Sequence, residues 1–97
     1  MNFDLVSTEF FLNQIENLSE TYKKQIQKKL ELIKRNPFRF KGIHSEKFSR
    51  VFRVRMKIEG KEMRLIYAVV GTKVIIAGLL DRSKEYGDLE NYLSKIQ

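Results

Sequence analysis

The sequence of 97 residues has no cysteine, no tryptophan, one histidine and one proline. Without cysteine, a disulfide framework and a thiolate-ligated zinc or iron–sulfur site are excluded. The longest apolar run, residues 74–80, is far shorter than the roughly 20 residues that span a bilayer. The first residues, "MNFDLVSTEF", lack the basic region that begins a signal peptide. We therefore expect a cytoplasmic protein with no membrane contact and a single domain over residues 1–97.

Acidic residues are scarce in the middle of the chain. Residues 23–64 contain 15 lysines and arginines against four glutamates, a balance of +11. Residues 1–22 carry −4 and residues 65–97 are balanced, so the net charge of +7 arises in the middle segment. Such a segment attracts polyanions, and nucleic acid is the commonest of these in a cytoplasm. A lysine-rich helix face in water is the alternative explanation for residues 23–35.

The first 37 residues predict one strand and two helices. The strand, "NFDLV", ends at Ser7 and Thr8, which are both favourable N-cap residues for the first helix. Ser19 begins a second helix, and Pro37 ends it. Apolar residues recur at helical spacing in both helices. They are Phe11, Ile15 and Leu18 in the first, and Tyr22, Ile26, Leu30 and Ile33 in the second.

Three strands follow a connector that contains Gly42. They are predicted at residues 51–58, 63–70 and 73–80, and the short joining segments "EGKE" and "GT" indicate hairpins. After Asp81, the spacing of Tyr86, Leu89 and Leu93 predicts a short C-terminal helix. We therefore expect an α+β fold, in which the N-terminal strand and the helix hairpin pack on one face of a mainly antiparallel sheet.

One predicted strand, "SRVFRVRMKIEG", carries cations at alternate positions. Its alternation places Phe52, Val54, Met56 and Ile58 on one face and Arg53, Arg55 and Lys57 on the other. A four-residue loop would pair Ile58 with Met63 and Lys57 with Arg64. Four cations with no acidic neighbour would then share one surface, and an anionic ligand would relieve their repulsion. The alternative is an outward strand face in water.

Three segments, "LIKRNPFRFKGI", "VFRVRMKIEGKEMRLIYAVV" and "DRSKEY", resemble the RelE/ParE toxin superfamily of toxin–antitoxin systems, and within it the RelE branch. The resemblance covers nearly the whole chain and implies a RelE-like fold. It also implies an mRNA interferase, an endoribonuclease that cleaves mRNA on the ribosome without a metal ion or cofactor. The partners implied are the ribosome, mRNA and a RelB-like cognate antitoxin, whose complex with the toxin would bind operator DNA.

The resemblance also assigns roles to individual residues. The catalytic residues it implies are Arg55, Arg64, Arg82 and Tyr86. The RNA-binding residues are Arg53, Lys57, Lys61 and Lys84. Three features depart from the family pattern: a longer hairpin loop, Met63 in place of an aromatic residue, and the separation between Arg82 and Tyr86, which differs in some members.

The chemistry of these residue types agrees with part of this assignment. Attack by the RNA 2′-hydroxyl requires a proton acceptor, stabilisation of charge on the phosphorane, and a proton donor for the 5′-oxygen. Arginine suits the second task because its fork matches phosphate oxygens, but its high pKa makes it a poor acid or base. Tyr86 is the better candidate for the base, although it also fits the packed stripe of the last helix. His44 is interpreted as a surface residue.

Other interpretations stay open. Arg82 also suits surface ion pairs with Asp81, Glu85 or Asp88. The carboxylates after residue 80 are interpreted as solvated or capping groups rather than as a metal site. A ParE-like inhibitor of DNA gyrase that is not a nuclease, and an inactive nucleic-acid-binding relative that acts with its antitoxin, are the alternative functions.

Overall fold

The computed structural model describes residues 3–81 and 89–94. These residues form five strands and three helices. The elements are β1 (Asp4–Ser7), α1 (Glu9–Ile15), α2 (Glu20–Arg35), β2 (Lys41–Ile43), β3 (Val51–Ile58), β4 (Lys61–Val70), β5 (Lys73–Asp81) and α3 (Leu89–Leu93). The strand order is β1-β5-β4-β3-β2, with β1 parallel to β5 and every other pair antiparallel. The predicted α+β fold is confirmed. None of the helices in the described part of the chain is long and apolar enough to cross a membrane.

Helices α1 and α2 cover one face of the sheet, which we call the front face. Thr8 caps α1 as predicted, since its hydroxyl oxygen accepts a hydrogen bond from the Phe11 N–H at 3.1 Å. Phe11, Ile26 and Ile33 are buried against front-face residues of the sheet that include Leu65. The predicted packing of the helix hairpin is therefore confirmed.

Gln14 of α1 completes the edge of β5 beyond the end of β1. Strand β1 pairs with β5 only as far as Ser7 opposite Ile76. Further along, the Gln14 side chain donates to the Leu79 carbonyl at 2.9 Å and accepts from the Leu79 N–H at 2.7 Å. Because both polar groups of a peptide unit need partners when buried, this side chain replaces a missing strand residue.

Strand β2 differs from the sequence prediction, which treated this segment as a connector. Its three residues pair with β3, with Lys41 opposite Arg53 and Ile43 opposite Val51. A strand this short has no detectable alternation, and Gly42 has low strand propensity. Its pairing with β3 therefore defines this strand more clearly than its own sequence does.

The turn between β3 and β4 is shorter than predicted. Glu59 and Gly60 alone connect the strands, with φ values of 52° and 79°. Positive φ at both central residues is the requirement of a type I′ turn, which matches the twist of the flanking strands. Ile58 therefore pairs with Lys61 instead of Met63. Because the register moves by two residues, every side chain keeps its predicted face but changes its partner.

The opposite face of the sheet, the back face, has an apolar cluster of its own. It joins residues of β3, β4 and β5 to α3, and its members include Val51, Ile66, Ala68, Ala77, Leu80 and Leu93. The Glu90 carboxylate on α3 accepts hydrogen bonds from the Ser45 hydroxyl at 3.1 Å and the Glu46 N–H at 3.2 Å. The back face, to which the sequence assigns Arg53, Arg55 and Lys57, is thus partly covered.

Candidate functional site

Two arginines lie directly opposite each other on the back face of the β3–β4 hairpin. Arg55 of β3 pairs with Arg64 of β4. Directly opposed residues have Cβ atoms roughly 4.5–5.5 Å apart, and like charges in this position are destabilising. Arg55 is exposed and Arg64 is half-buried. The hairpin therefore holds two planar guanidinium groups near each other at an accessible surface.

Arg53 extends this cationic surface toward the covered part of the back face. The sequence assigned it to the same face as Arg55 and Lys57, where the structure also has it. Only 8% of its surface is exposed, because it lies between β2 and β4, opposite Lys41 and Ile66. Its Nε is buried and has no hydrogen-bond partner among the described residues. A buried donor without a partner costs roughly 1–3 kcal/mol, which an anionic ligand can offset.

Lys41 was not identified from the sequence as part of this surface. It is exposed on β2, and its position opposite Arg53 makes a second pair of like charges one strand away from the first. Recognition of residues 41–43 as a strand would have identified it. We use the name cationic face for Lys41, Arg53, Arg55, Lys57 and Arg64.

Glu62 is the second residue that the sequence analysis missed. It lies opposite Lys57 and on the same face as Arg64, so the expectation of a face without an acidic neighbour is wrong. Together with Arg55, Lys57 and Arg64 it lines a cleft of about 210 Å³, which Met56 and Met63 complete. The cleft therefore combines groups that bind phosphate with a carboxylate that can accept a proton.

The other residues assigned from the sequence do not lie on the cationic face in the described structure. Lys61 alternates onto the front face and lines a different cleft, beside Gln14 and Leu18. Arg82, Lys84 and Tyr86 lie outside the described residues.

Two further side chains bear on proton transfer. His44 is exposed and follows Ile43, which pairs with Val51. Arg55 is four residues further along β3, so roughly 13 Å of strand separates it from this point. The Tyr67 hydroxyl donates to the Pro37 carbonyl at 2.6 Å, and burial raises the pKa of Tyr67 well above its ordinary value. Neither residue is placed to act at the Arg55–Arg64 pair.

Among residues 3–81 and 89–94, no three carboxylate or histidine side chains form a group that could hold a metal ion. Glu90, one of the carboxylates in the C-terminal segment, instead binds the loop at Ser45 and Glu46. These hydrogen bonds give Glu90 a structural role, which is to hold the loop between β2 and β3 against α3.

Comparisons with known proteins identify the family and the fold of this chain. The family model of the ParE toxin of type II toxin–antitoxin systems, parDE, matches residues 8–86. No curated protein is similar enough to count as a match. The solved structure of the E. coli toxin RelE in the free state, as a variant with two arginines replaced by alanine, superimposes with a TM-score of 0.72. It is 19% identical and covers 100% of both chains, which shows the shared fold. The chain therefore belongs to the ParE toxin family within the RelE/ParE superfamily, and it is a toxin of a type II toxin–antitoxin system.

Proposed function

We propose that this toxin is an mRNA endoribonuclease that acts on the ribosome and needs no metal ion. The observation that carries the proposal is the direct opposition of Arg55 and Arg64, next to the buried Arg53 and in one cleft with Glu62. The two opposed guanidinium groups repel each other, and a phosphate bound between them would stabilise both. RNA has such a phosphate at every nucleotide.

In the proposed reaction, the 2′-hydroxyl of one nucleotide attacks the adjacent phosphorus. The P–O5′ bond breaks, and the products are a 2′,3′-cyclic phosphate and a free 5′-hydroxyl. Negative charge builds on the phosphoryl oxygens in the transition state. Arg55 and Arg64 would bind these oxygens, because a guanidinium fork matches their geometry and both arginines are already positioned by the hairpin.

The 2′-hydroxyl proton needs an acceptor, and the described residues offer Glu62. Its carboxylate lies in the same cleft as Arg55 and Arg64. Tyr86 is the other candidate acceptor, assigned by the resemblance to the RelE branch, as is Arg82 for charge stabilisation. Arginines are slow proton donors. A site rich in them needs a substrate that is already aligned, and the ribosome would provide that alignment.

The proposed partners follow from the same surface. A type II toxin has an antitoxin partner, and we propose a RelB-like one that brings carboxylates to the cationic face. Ribosome and mRNA would use the same surface, and the toxin–antitoxin complex would bind operator DNA. These are cytoplasmic partners.

The family match favours a second candidate function. The matching model is that of the ParE toxin, and toxins of the ParE kind inhibit DNA gyrase without cleaving nucleic acid. An inhibitor of this kind binds a protein and has no need of opposed arginines beside a carboxylate. An inactive relative that binds DNA only with its antitoxin is the third candidate.

Primer extension on an mRNA translated in a reconstituted system separates these functions. We expect new 5′ ends in the translated region with the wild-type toxin, and a cleavage rate roughly 100-fold lower for Arg64→Ala, the scale observed when one preorganised charge-stabilising donor is removed. Lys28→Ala, an exposed exchange on α2, is the matched control and should retain the rate. If the wild-type toxin gives no new 5′ ends but inhibits gyrase supercoiling, the proposed nuclease function is wrong.

A further inference from the structure

A second basic surface lies at the other end of β3 from the Arg55–Arg64 pair. It includes the end of α2, the segment before β2 and the segment before β3. Residues 34–50 contain six lysines and arginines against one glutamate. Arg50, which immediately precedes β3, is five residues from Arg55, or roughly 16 Å along an extended strand. This surface is therefore separate from the proposed cleavage site.

An arginine and an aromatic ring are stacked on this surface. The Arg50 guanidinium lies over the ring of Phe38, 5.2 Å from the ring centroid. Phe38 is 43% exposed, so one part of its ring is accessible from solvent. Two neighbouring rings hold it edge-on, Phe3 and Phe52, each with a centroid distance of 5.8 Å. The exposed ring is thus fixed in place by its own aromatic neighbours.

The support for Phe38 continues into the core. Phe52 stacks on the buried Tyr67 at 5.4 Å, and the Tyr67 hydroxyl binds the carbonyl of Pro37, the residue that precedes Phe38. The backbone of Arg50 is fixed as well, because its carbonyl accepts a hydrogen bond from the Val69 N–H at 2.9 Å. Both members of the stacked pair therefore lie on rigid supports.

A cleft of about 490 Å³ lies next to Arg50. Lys47, Phe48, Ser49 and the exposed Val70 contribute to its walls. A cleft of this size is in the range that holds small organic groups. Arg50 also lines this cleft, so a flat group bound there would lie next to the arginine that contacts the Phe38 ring.

We infer that this surface binds single-stranded RNA, with one unpaired base stacked on Arg50 and a neighbouring phosphate near Lys47. Bases stack on aromatic rings and on arginine planes, and phosphates bind lysines. The excess of positive charge between residues 34 and 50 favours this polyanion over an uncharged partner. The inference rests on the proposed function and extends it by giving the mRNA substrate a contact outside the cleavage site.

The test compares two oligomers of equal charge. One is a fluorescein-labelled hexa-adenylate, and the other is the same ribose–phosphate chain without bases. We expect the wild-type toxin to bind the adenylate at least fivefold more tightly in fluorescence anisotropy, the low end of the effect of one stacked base. Arg50→Lys keeps the positive charge but removes the planar guanidinium group, so this affinity ratio should fall toward one. Phe38→Leu should have the same effect.

Arg35→Lys is the matched control, since it makes the same exchange at an exposed position on α2, and it should keep the ratio. Arg64→Ala should also keep it, so a failure of the cleavage assay and a failure of this test are distinguishable. Equal binding of the two oligomers by the wild-type toxin, no binding of either, or an unchanged ratio in Arg50→Lys would each overturn the inference. The same holds if Arg50→Lys weakens only the binding of the antitoxin.

Discussion

The pairing of charges across the β3–β4 hairpin predicts opposite electrostatic effects for two neighbouring substitutions. Arg55 lies opposite Arg64, whereas Lys57 lies opposite Glu62. Both side chains are exposed, and both lie on the back face of β3. Arg55→Gln removes a repulsion and Lys57→Gln removes an attraction, although each removes one positive charge. We therefore expect Arg55→Gln to be the more stable of the two variants.

The size of the difference follows from the cross-strand geometry. Opposed side chains are about 5.5 Å apart and diagonal ones about 7.5 Å, so the Coulomb terms in water are about 0.75 and 0.55 kcal/mol. Arg55→Gln removes the direct repulsion from Arg64 and the diagonal attraction to Glu62. Lys57→Gln removes the direct attraction to Glu62 and the diagonal repulsion from Arg64. The Arg55–Lys57 repulsion is lost in both variants. These terms alone give a difference in unfolding free energy of about 0.4 kcal/mol in water. The Arg53–Arg55 repulsion, which only Arg55→Gln relieves, and the lower effective dielectric constant at the half-buried Arg64 both increase this difference.

Urea denaturation and thermal unfolding at low salt measure this difference. For a domain of this size, 0.4 kcal/mol corresponds to roughly 2–3 °C in Tm. Because 1 M salt screens charges beyond about 3 Å, the difference should disappear there. If Lys57→Gln is instead the more stable variant, the register with Lys57 opposite Glu62 is wrong. Lys57 would then lie opposite Arg64, as a four-residue loop requires. A difference that persists in 1 M salt would show that charge is not its cause.

Three other substitutions test separate parts of the structure. Tyr67→Phe leaves the buried Pro37 carbonyl without its donor and should lower the unfolding free energy in urea by about 1–3 kcal/mol; an unchanged value would mean that this hydrogen bond contributes nothing. Glu59→Asn should raise the Tm, because asparagine tolerates positive φ better than glutamate and Asn-Gly favours a type I′ turn; a lower Tm would contradict the turn assignment. Glu62→Gln should remove the acidic limb of the pH–rate profile of mRNA cleavage, whereas Glu59→Gln should retain it; an unchanged profile in Glu62→Gln would exclude Glu62 as the proton acceptor.

The helices and the long strands could be predicted because their signals are local. Thr8 caps the helix that follows it, and Pro37 comes directly after the end of the second. The alternation of β3 assigned Val54 and Met56 to the face that the helices cover. Each of these signals depends on residues within a few positions of one another, so it can be recognised from the sequence without knowledge of the tertiary structure.

Features that depend on distant residues could not be predicted in the same way. Strand β2 exists because Lys41 and Ile43 pair with β3, which follows eight residues later in the chain. The partial cover of the back face depends on Leu93, which packs with Val51 and Ile66 of the central strands. Arg53 alternates outward as the sequence predicts, but these distant elements leave it only 8% exposed.

The two-residue turn links these local and distant effects at the candidate site. A glutamate at a position with positive φ is an unusual choice, so "EGKE" gave little indication that Glu59 and Gly60 alone form the turn. The two-residue difference in register leaves the same residues on the same face. It nevertheless changes the cross-strand partner of Arg64 from Lys57 to Arg55, and it brings Glu62 opposite Lys57. An all-cationic face would only bind a phosphate, whereas a face with opposed arginines and one carboxylate can also accept a proton. The turn therefore decides whether the hairpin contains a binding surface alone or the residues of the proposed catalytic site.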